Sequence, residues 1–284
     1  MRRSGESAGA GGAGPRRAQL VKLGGSLITD KDRPDTPRVK VIRRLAAELA
    51  AVLRRSGEGV VVGHGSGSFG HAAAARHEVH RGISDPARRR GVAETQGRAA
   101  ALHGIVLDAF RAVGLPAFSV APSSAAVAEG GRLVEFATEP LARALEEGLL
   151  PVLYGDVVLD RSQGAAILST EAVLLGVAQR LSEWGWTAER AVWAGTTDGI
   201  RGTDGGTIPV VDVEDPEAAL AVAGPSEAVD VTGGMRHRLE TALELARLGV
   251  PSWIGNGATP GALERVLLGE EVPGTRVKAR PSSA

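Results

Sequence analysis

The order of segments along this 284-residue, 29.2 kDa chain predicts an α/β fold with a mainly parallel sheet between helical layers. Three observations carry that expectation. Short β-like runs alternate with longer stretches of helical period. Several of the runs lead directly into glycine-rich turns. Residues 60–62 are Val at every position, which suits a strand covered on both faces.

Composition narrows the function. Lys+Arg and Asp+Glu are each 33, so the net charge is zero, against the basic excess of a general nucleic-acid or membrane-surface binder. There is no Cys, which removes disulfides, thiolate metal sites and cysteine nucleophiles. No run approaches the ~18 apolar residues of a membrane helix. Met1-Arg2-Arg3 is followed by Ser, Gly and Ala rather than an apolar run, so no secretory signal is visible. The expectation is a soluble cytoplasmic protein with no nucleic acid and no membrane partner; a small-molecule substrate is what the motifs and the resemblance below imply. Only four basic residues are Lys (Lys22, Lys31, Lys40 and Lys278), the other 29 being Arg.

Residues 1–17 are Gly, Ala and Ser with scattered Arg, and are expected to form a disordered tail ahead of a single domain over 18–284. Residues 18–23 predict a first strand that runs into Gly24-Gly25-Ser26. Val41, Leu45, Leu49 and Val52 make a helical stripe over 38–55, and 59–63 predict the second strand. An Ala-rich helix is expected over 86–113, a strand over 117–120 into a Pro122-Ser123-Ser124 turn, and a helix over 140–147. Strands at 150–154 and 157–159 follow. The rhythm continues with a helix over 171–181, a strand over 190–194, a helix over 235–248, a strand over 250–254, a helix over 260–268 and a last strand at 275–277. Ligands of such sheets collect at the carboxyl ends of strands, so the loops after Lys22, Gly63, Tyr154, Ala194 and Ile254 are where function should sit.

Three glycine-rich segments stand out. In Lys22-Leu23-Gly24-Gly25-Ser26, two glycines after a strand let backbone N–H groups approach an anion, and a strand-end ammonium can reach phosphate oxygens. A tight turn with a surface lysine explains that segment equally well. Gly63-His64-Gly65-Ser66-Gly67-Ser68-Phe69-Gly70-His71 has four glycines in nine residues, more than a turn requires, with an Ala-rich stretch behind it to supply a helix N-terminus. Its two histidines are not at a helical ligand spacing, and a His donating to a phosphate fits better than a metal. Asp230-Val231-Thr232-Gly233-Gly234-Met235 enters a helix carrying Arg236 and Arg238, and suits either an anion or a plain cap. Asp198, in Gly195-Thr196-Thr197-Asp198-Gly199-Ile200, is a candidate for a metal or a ribose, and Gly255-Asn256-Gly257 is uninformative alone. Together these loops suggest a polyanion laid across the sheet edge, a nucleoside triphosphate beside a phosphorylatable acceptor.

KLGGSLITDK (22–31), GHGSGSFGH (63–71), SVAPSS (119–124), YGDVVLD (154–160), TTDGI (196–200) and DVTGGM (230–235) occur in the order seen in the amino acid kinase superfamily. Over roughly 19–278 the chain resembles that superfamily, and within it the isopentenyl phosphate kinases. The resemblance implies the amino acid kinase fold, a three-layer αβα sandwich with a mainly parallel central sheet, usually as a homodimer. It implies direct in-line transfer of the γ-phosphoryl group of ATP to isopentenyl phosphate, with Mg2+ held largely by the nucleotide and no dedicated protein metal ligands. The N-terminal part, about 18–160, would bind the acceptor, and the part from about 161 to 278 would bind ATP.

Carried over by motif, Lys22 contacts the ATP phosphates, with Gly24, Gly25 and Ser26 as an amide cradle, and Lys31 stabilises the transition state. Ser66 and Gly67 lie where acceptor phosphate and ATP meet, with Gly70 and Thr170 on the substrate side. His71 grips the acceptor phosphate, and carboxylate-phosphorylating relatives lack a histidine there. Gly234, Thr196 and Asp198 fall to ATP, and Glu171 to orienting the cations. Two of the four lysines occupy these positions, where a compact ammonium serves and Arg is too large. Three positions depart from the family pattern. Arg238 replaces a Lys; Ser169-Thr170-Glu171-Ala172 replaces Ser-Gly-Asp-Asp; and Gly195-Thr196-Thr197-Asp198-Gly199 loses the first Asp of the nucleotide loop. The alternatives are a kinase for another phosphate or phosphonate, of the fosfomycin type, and a non-catalytic nucleotide-binding protein of the same fold.

Overall fold

The structure, a computed structural model, describes residues 16–224 and 234–280. In chain order the first half contains β1 (Arg16–Leu23), α1 (Gly25–Ile28), α2 (Val39–Ser56), β2 (Gly59–His64), α3 (Gly67–Arg76), α4 (Pro86–Arg111), β3 (Ala117–Ser119), α5 (Pro122–Ala125), β4 (Ala126–Glu129), β5 (Arg132–Phe136), α6 (Glu139–Glu146), β6 (Leu150–Tyr154) and β7 (Asp156–Asp160). The second half contains β8 (Gly164–Leu168), α7 (Thr170–Arg180), β9 (Trp186–Gly195), β10 (Val210–Asp212), α8 (Glu217–Val222), α9 (Met235–Arg247), β11 (Ser252–Asn256), α10 (Ala262–Leu267) and β12 (Thr275–Lys278).

The central sheet has eight strands in the order β10-β12-β11-β9-β1-β2-β6-β3. All its pairings are parallel except β11 with β12. Strands from the second half of the chain therefore lie on one side of β1 and strands from the first half on the other. The connections leave in opposite directions at β1, and that reversal opens a crevice at the carboxyl ends of the strands.

Alternation along the strands puts apolar side chains on both faces. Leu20, Val61, Leu153 and Trp193 pack with α6, α7 and α9 on one face. Val21, Leu23, Val62 and Val192 pack with α2, α4 and α10 on the other. The predicted αβα layering is thus the observed one. Local signals set the helix starts: the Asp85 carboxylate accepts from Arg88 N–H, with Pro86 in the first turn of α4, and the Ser169 hydroxyl accepts from Ala172 N–H at α7.

The structure differs from the expectation in several places, and β10 and α8 are elements the sequence reading does not include. The first strand begins at Arg16, because Arg16 and Arg17 pair with Trp186 and Thr187 of β9. The run at 157–159 does not join the central sheet. It lies in β7 of a second, four-stranded sheet ordered β5-β4-β7-β8, whose β4, β5 and β8 are too short and too mixed in pattern to stand out. The glycine-rich run at 63–71 is mostly regular, with β2 reaching His64 and α3 starting at Gly67. The Gly25-Ser26 turn and the Pro122 turn are one-turn helices. The tail at 1–15 and Asp230–Gly233 of the third glycine-rich segment lie outside the described residues.

Candidate active site

The crevice at β1 is a cleft lined by Lys22, Gly25, Ser26, Lys31, Ser66, His71, Thr170, Glu171, Gly234 and Arg238, with Gly65 and Gly155. Ten of the residues proposed from sequence therefore meet in one place, although they come from five separate elements and the turn that holds Lys31. β1 contributes Lys22 at its buried end, α1 Gly25 and Ser26, and the turn after it the exposed Lys31. Ser66 precedes α3 and His71 lies one turn into it. Thr170 and Glu171 open α7; Gly234 precedes α9 and Arg238 lies in its first turns.

Charge is organised around one carboxylate. Glu171 is 2% exposed, and its Oε1 lies 2.5 Å from Lys22 Nζ and 3.8 Å from Arg238 Nε. Burial pushes the Glu171 carboxyl up, but the Lys22 ammonium and then the Arg238 guanidinium outweigh it, and the group sits below its ordinary value. Glu171 is therefore ionised and aligns two cations along the cleft. Arg238 Nε is buried and makes no hydrogen bond among the described residues, so at that nitrogen the contact with Glu171 is one of charge. The longer Arg in place of Lys is accommodated beside Gly195, where a Cβ would lie 3.1 Å from its Nη1.

The two glycine-rich segments pack backbone against backbone. A Cβ on Gly65 would meet Gly25 N at 2.8 Å, and one on Gly25 would meet Gly67 Cα at 2.8 Å. Gly67 has φ +51° and a Cβ there would overlap Thr29 Oγ1 at 2.2 Å. Gly67→Ala is expected to destabilise the protein by about 2–3 kcal/mol, measured by chemical denaturation; unchanged stability would mean the two loops can separate.

Other predicted residues sit elsewhere. Gly24 N–H donates to Ala194 O at 2.8 Å, and Gly24 and Gly67 are in the loop packing rather than among the cleft-lining residues. Gly70 lines a smaller cavity behind His71, with Ala74, Thr95, Ala99, Val157 and Ile167. The Thr170 hydroxyl donates to His64 O at 2.7 Å, so it fixes backbone as well as facing the cleft. Thr196 and Asp198 are exposed and are not brought into the cleft; Asp198 Oδ1 accepts from Asn256 Nδ2 at 2.9 Å. Arg236 pairs with Glu240 at 2.9 Å on the outer face of α9. Among the described residues no group of three or more His, Asp or Glu side chains is arranged to hold a metal, and no helix is long and apolar enough to cross a membrane.

Sequence reasoning missed a buried polar cluster beneath the cleft. His64, His103 and Tyr154 stack, with ring centroids 4.3–5.7 Å apart. Asp156 Oδ2 accepts from Ser123 N–H at 3.1 Å, and burial raises its carboxyl. The one signal was the place of His64 as the last residue of an apolar strand.

Residues 17–256 match the amino acid kinase family. The chain belongs to that family. It is 36% identical to an isopentenyl phosphate kinase of Methanothermobacter thermautotrophicus over 272 residues, 92% of this chain and 99% of the relative. It is 35% identical to the enzyme of the same name from Haloferax volcanii, over 91% and 98%. A solved isopentenyl phosphate kinase structure superposes with a TM-score of 0.77 at 33% identity, covering 91% of this chain and 99% of that one. The amino acid kinase fold expected from the motifs is the observed fold, and the kinase assignment follows from the same likeness.

Proposed function

We propose that this member of the amino acid kinase family phosphorylates isopentenyl phosphate, transferring the γ-phosphoryl group of ATP in line to give the diphosphate. The observation that carries the reading is the convergence of Lys22, Lys31, His71 and Arg238 on one cleft around ionised Glu171. Phosphoryl transfer between two phosphates gathers more negative charge than transfer to a carboxylate. Its catalysis is mostly positioning and charge stabilisation, which a cleft of cations supplies.

In this reading the first-half strands hold the acceptor (about 18–160) and the second-half strands hold ATP (about 161–278). Lys22 and Arg238, aligned by Glu171, bind the nucleotide phosphates, with Gly24, Gly25, Ser26 and Gly67 shaping the amide cradle. Gly234, Thr196 and Asp198 lie toward the nucleoside. Ser66, Gly70, His71 and Thr170 face the acceptor phosphate, and the small cavity behind them, walled by Ala74, Ala99, Val157 and Ile167 with Thr95 and Asp156, lies on the side where the five-carbon tail would start. Mg2+ supplies charge neutralisation when it enters with the nucleotide. A homodimer and a cytoplasmic location complete the reading; the first rests on the family resemblance alone, and light scattering of the purified protein tests it.

Lys31 is exposed on a turn, free to follow charge as it develops. Lys31→Ala is expected to lower kcat by roughly 10²-fold with a smaller rise in KM. A pure KM effect would move Lys31 to ground-state binding. The assignment as a whole is tested by ADP release with ATP and Mg2+ against isopentenyl phosphate, dimethylallyl phosphate, fosfomycin, acetylglutamate and no acceptor. Turnover on the prenyl monophosphates is the expected result. Turnover on fosfomycin instead would overturn the substrate, and silence with ATP bound would favour a non-catalytic protein.

A further inference from the structure

The buried rings beneath the cleft form a hydrogen-bond chain with one direction. The Gly65 carbonyl, 3.1 Å from His64 Nδ1, can only accept, so Nδ1 carries the proton. Burial pushes His64 down to about 4, so the ring is neutral and its Nε2 is a bare acceptor. That Nε2 lies 2.9 Å from His103 Nδ1, which must therefore be the protonated nitrogen of the second ring. Burial, with smaller contributions from His64 and Arg111, pushes His103 down to about 3; its Nε2 accepts from the Ser119 hydroxyl at 2.9 Å. The chain thus runs from Ser119, exposed on β3, through α4 and the end of β2 to the backbone of the glycine-rich loop.

Its inner end acts on the peptide that joins Gly65 to Ser66. In a trans peptide the carbonyl and the following N–H point to opposite sides, and none of the described peptides is cis. With the Gly65 carbonyl held by the ring below, the Ser66 N–H is turned the other way, and Ser66 lines the cleft beside Lys22, Lys31 and His71. The preceding peptide is already pinned. His64 O accepts from Gly155 N–H at 3.0 Å and Thr170 Oγ1 at 2.7 Å, and Gly65 N–H donates to Leu23 O at 3.0 Å. What remains free is rotation of the Gly65–Ser66 plane, which a glycine permits at low cost. Rotated, that plane would aim a carbonyl dipole at the phosphates.

We propose that His64 and His103 are positioning residues for phosphoryl transfer: the Ser119–His103–His64 chain fixes the Gly65–Ser66 peptide so that its N–H donates to a phosphoryl oxygen in the cleft. This rests on the kinase reading above. The step it serves is the same displacement, in which the acceptor oxygen bonds to the γ-phosphorus and the bond to the ADP oxygen breaks; the histidines exchange no proton with substrate.

Two measurements test it. In 15N-histidine-labelled protein without substrate, His64 and His103 should both be neutral Nδ1–H tautomers; either ring as Nε2–H overturns the chain. Because this needs no turnover, it separates failure of the chain from failure of the acceptor assignment. Then, with ATP and isopentenyl phosphate, His103→Leu should lower kcat roughly 10²-fold, as loss of one preorganised donor does, with the KM for ATP little changed. His103→Asn, which keeps an N–H near the Nδ1 position, should recover most of the rate. Full activity in His103→Leu, or an Asn variant as slow as the Leu variant, overturns the proposal. If the Leu variant fails to fold, the tautomers and the Asn variant decide.

Discussion

His71→Ala is expected to lower kcat/KM for a phosphate acceptor by roughly 10²–10³-fold while ATP affinity stays close to that of the parent. The expectation comes from position. His71 lies one turn into α3 and lines both the cationic cleft and the small cavity behind it, where an acceptor phosphate and its tail would meet. A histidine donating to a dianionic phosphate makes a charge-assisted bond worth about 1.5–3 kcal/mol, and the bond strengthens as charge gathers on the bridging oxygens. Lys22 and Arg238, the cations proposed to bind the nucleotide, are anchored to Glu171 rather than to α3, so in that reading the nucleotide side keeps its geometry. Calorimetric titration with ATP and steady-state kinetics on the same preparation check it. Equal loss of ATP binding and turnover would remove the acceptor role from His71.

Glu171→Leu is expected to cost about 3 kcal/mol of stability, because it deletes the carboxylate 2.5 Å from the buried Lys22 ammonium. The cleft admits water to Lys22, which holds the loss to the low end of the range for a broken buried pair. Lys22→Met in the Glu171→Leu background should restore part of the loss, since the ammonium that has lost this carboxylate is then removed as well. Denaturant unfolding of the four proteins gives the coupling energy, and additive effects would mean the pair is not a unit. The pH dependence has a definite sign. The folded-state value of Glu171 lies below its ordinary 4.5, so the unfolded chain binds its proton first as pH falls. Its contribution is fully present above that ordinary value and is lost as pH falls through the lower folded value. The stability gap between parent and Glu171→Leu should therefore be flat at neutral pH and narrow only below about 4.5. Activity falls too, since both aligned cations lose their anchor.

Much of this was legible in the residues. Val60 to Val62 and the stripe of Val41, Leu45, Leu49 and Val52 announce a covered strand and a helix, because burial on two faces or one leaves a period that a chain cannot hide. Lys22, the histidines of the second glycine-rich segment and Arg238 were legible as anion-binding candidates because glycine-rich turns mark where backbone and side-chain donors come near an anion, whereas Lys31 and the separate role of His71 came from the family resemblance of the motifs. β4, β5 and β8 were not, since strands of four or five residues in a satellite sheet bury too little to impose a pattern. Thr196 and Asp198 were legible as a motif, yet they lie outside the cleft, a matter of how the loop after β9 leaves the sheet.

Sequence by itself determined the α/β class, the order of its main elements and the chemical types that meet an anion, because these depend on local period, turn chemistry and composition. Only the tertiary structure decided that Glu171 is ionised between two cations, that Gly25, Gly65 and Gly67 need glycine because two loops touch, and that His64 and His103 form a directed chain under the cleft. Those depend on atoms up to about two hundred residues apart in sequence being held within a few ångströms, and no local pattern encodes a distance of that kind.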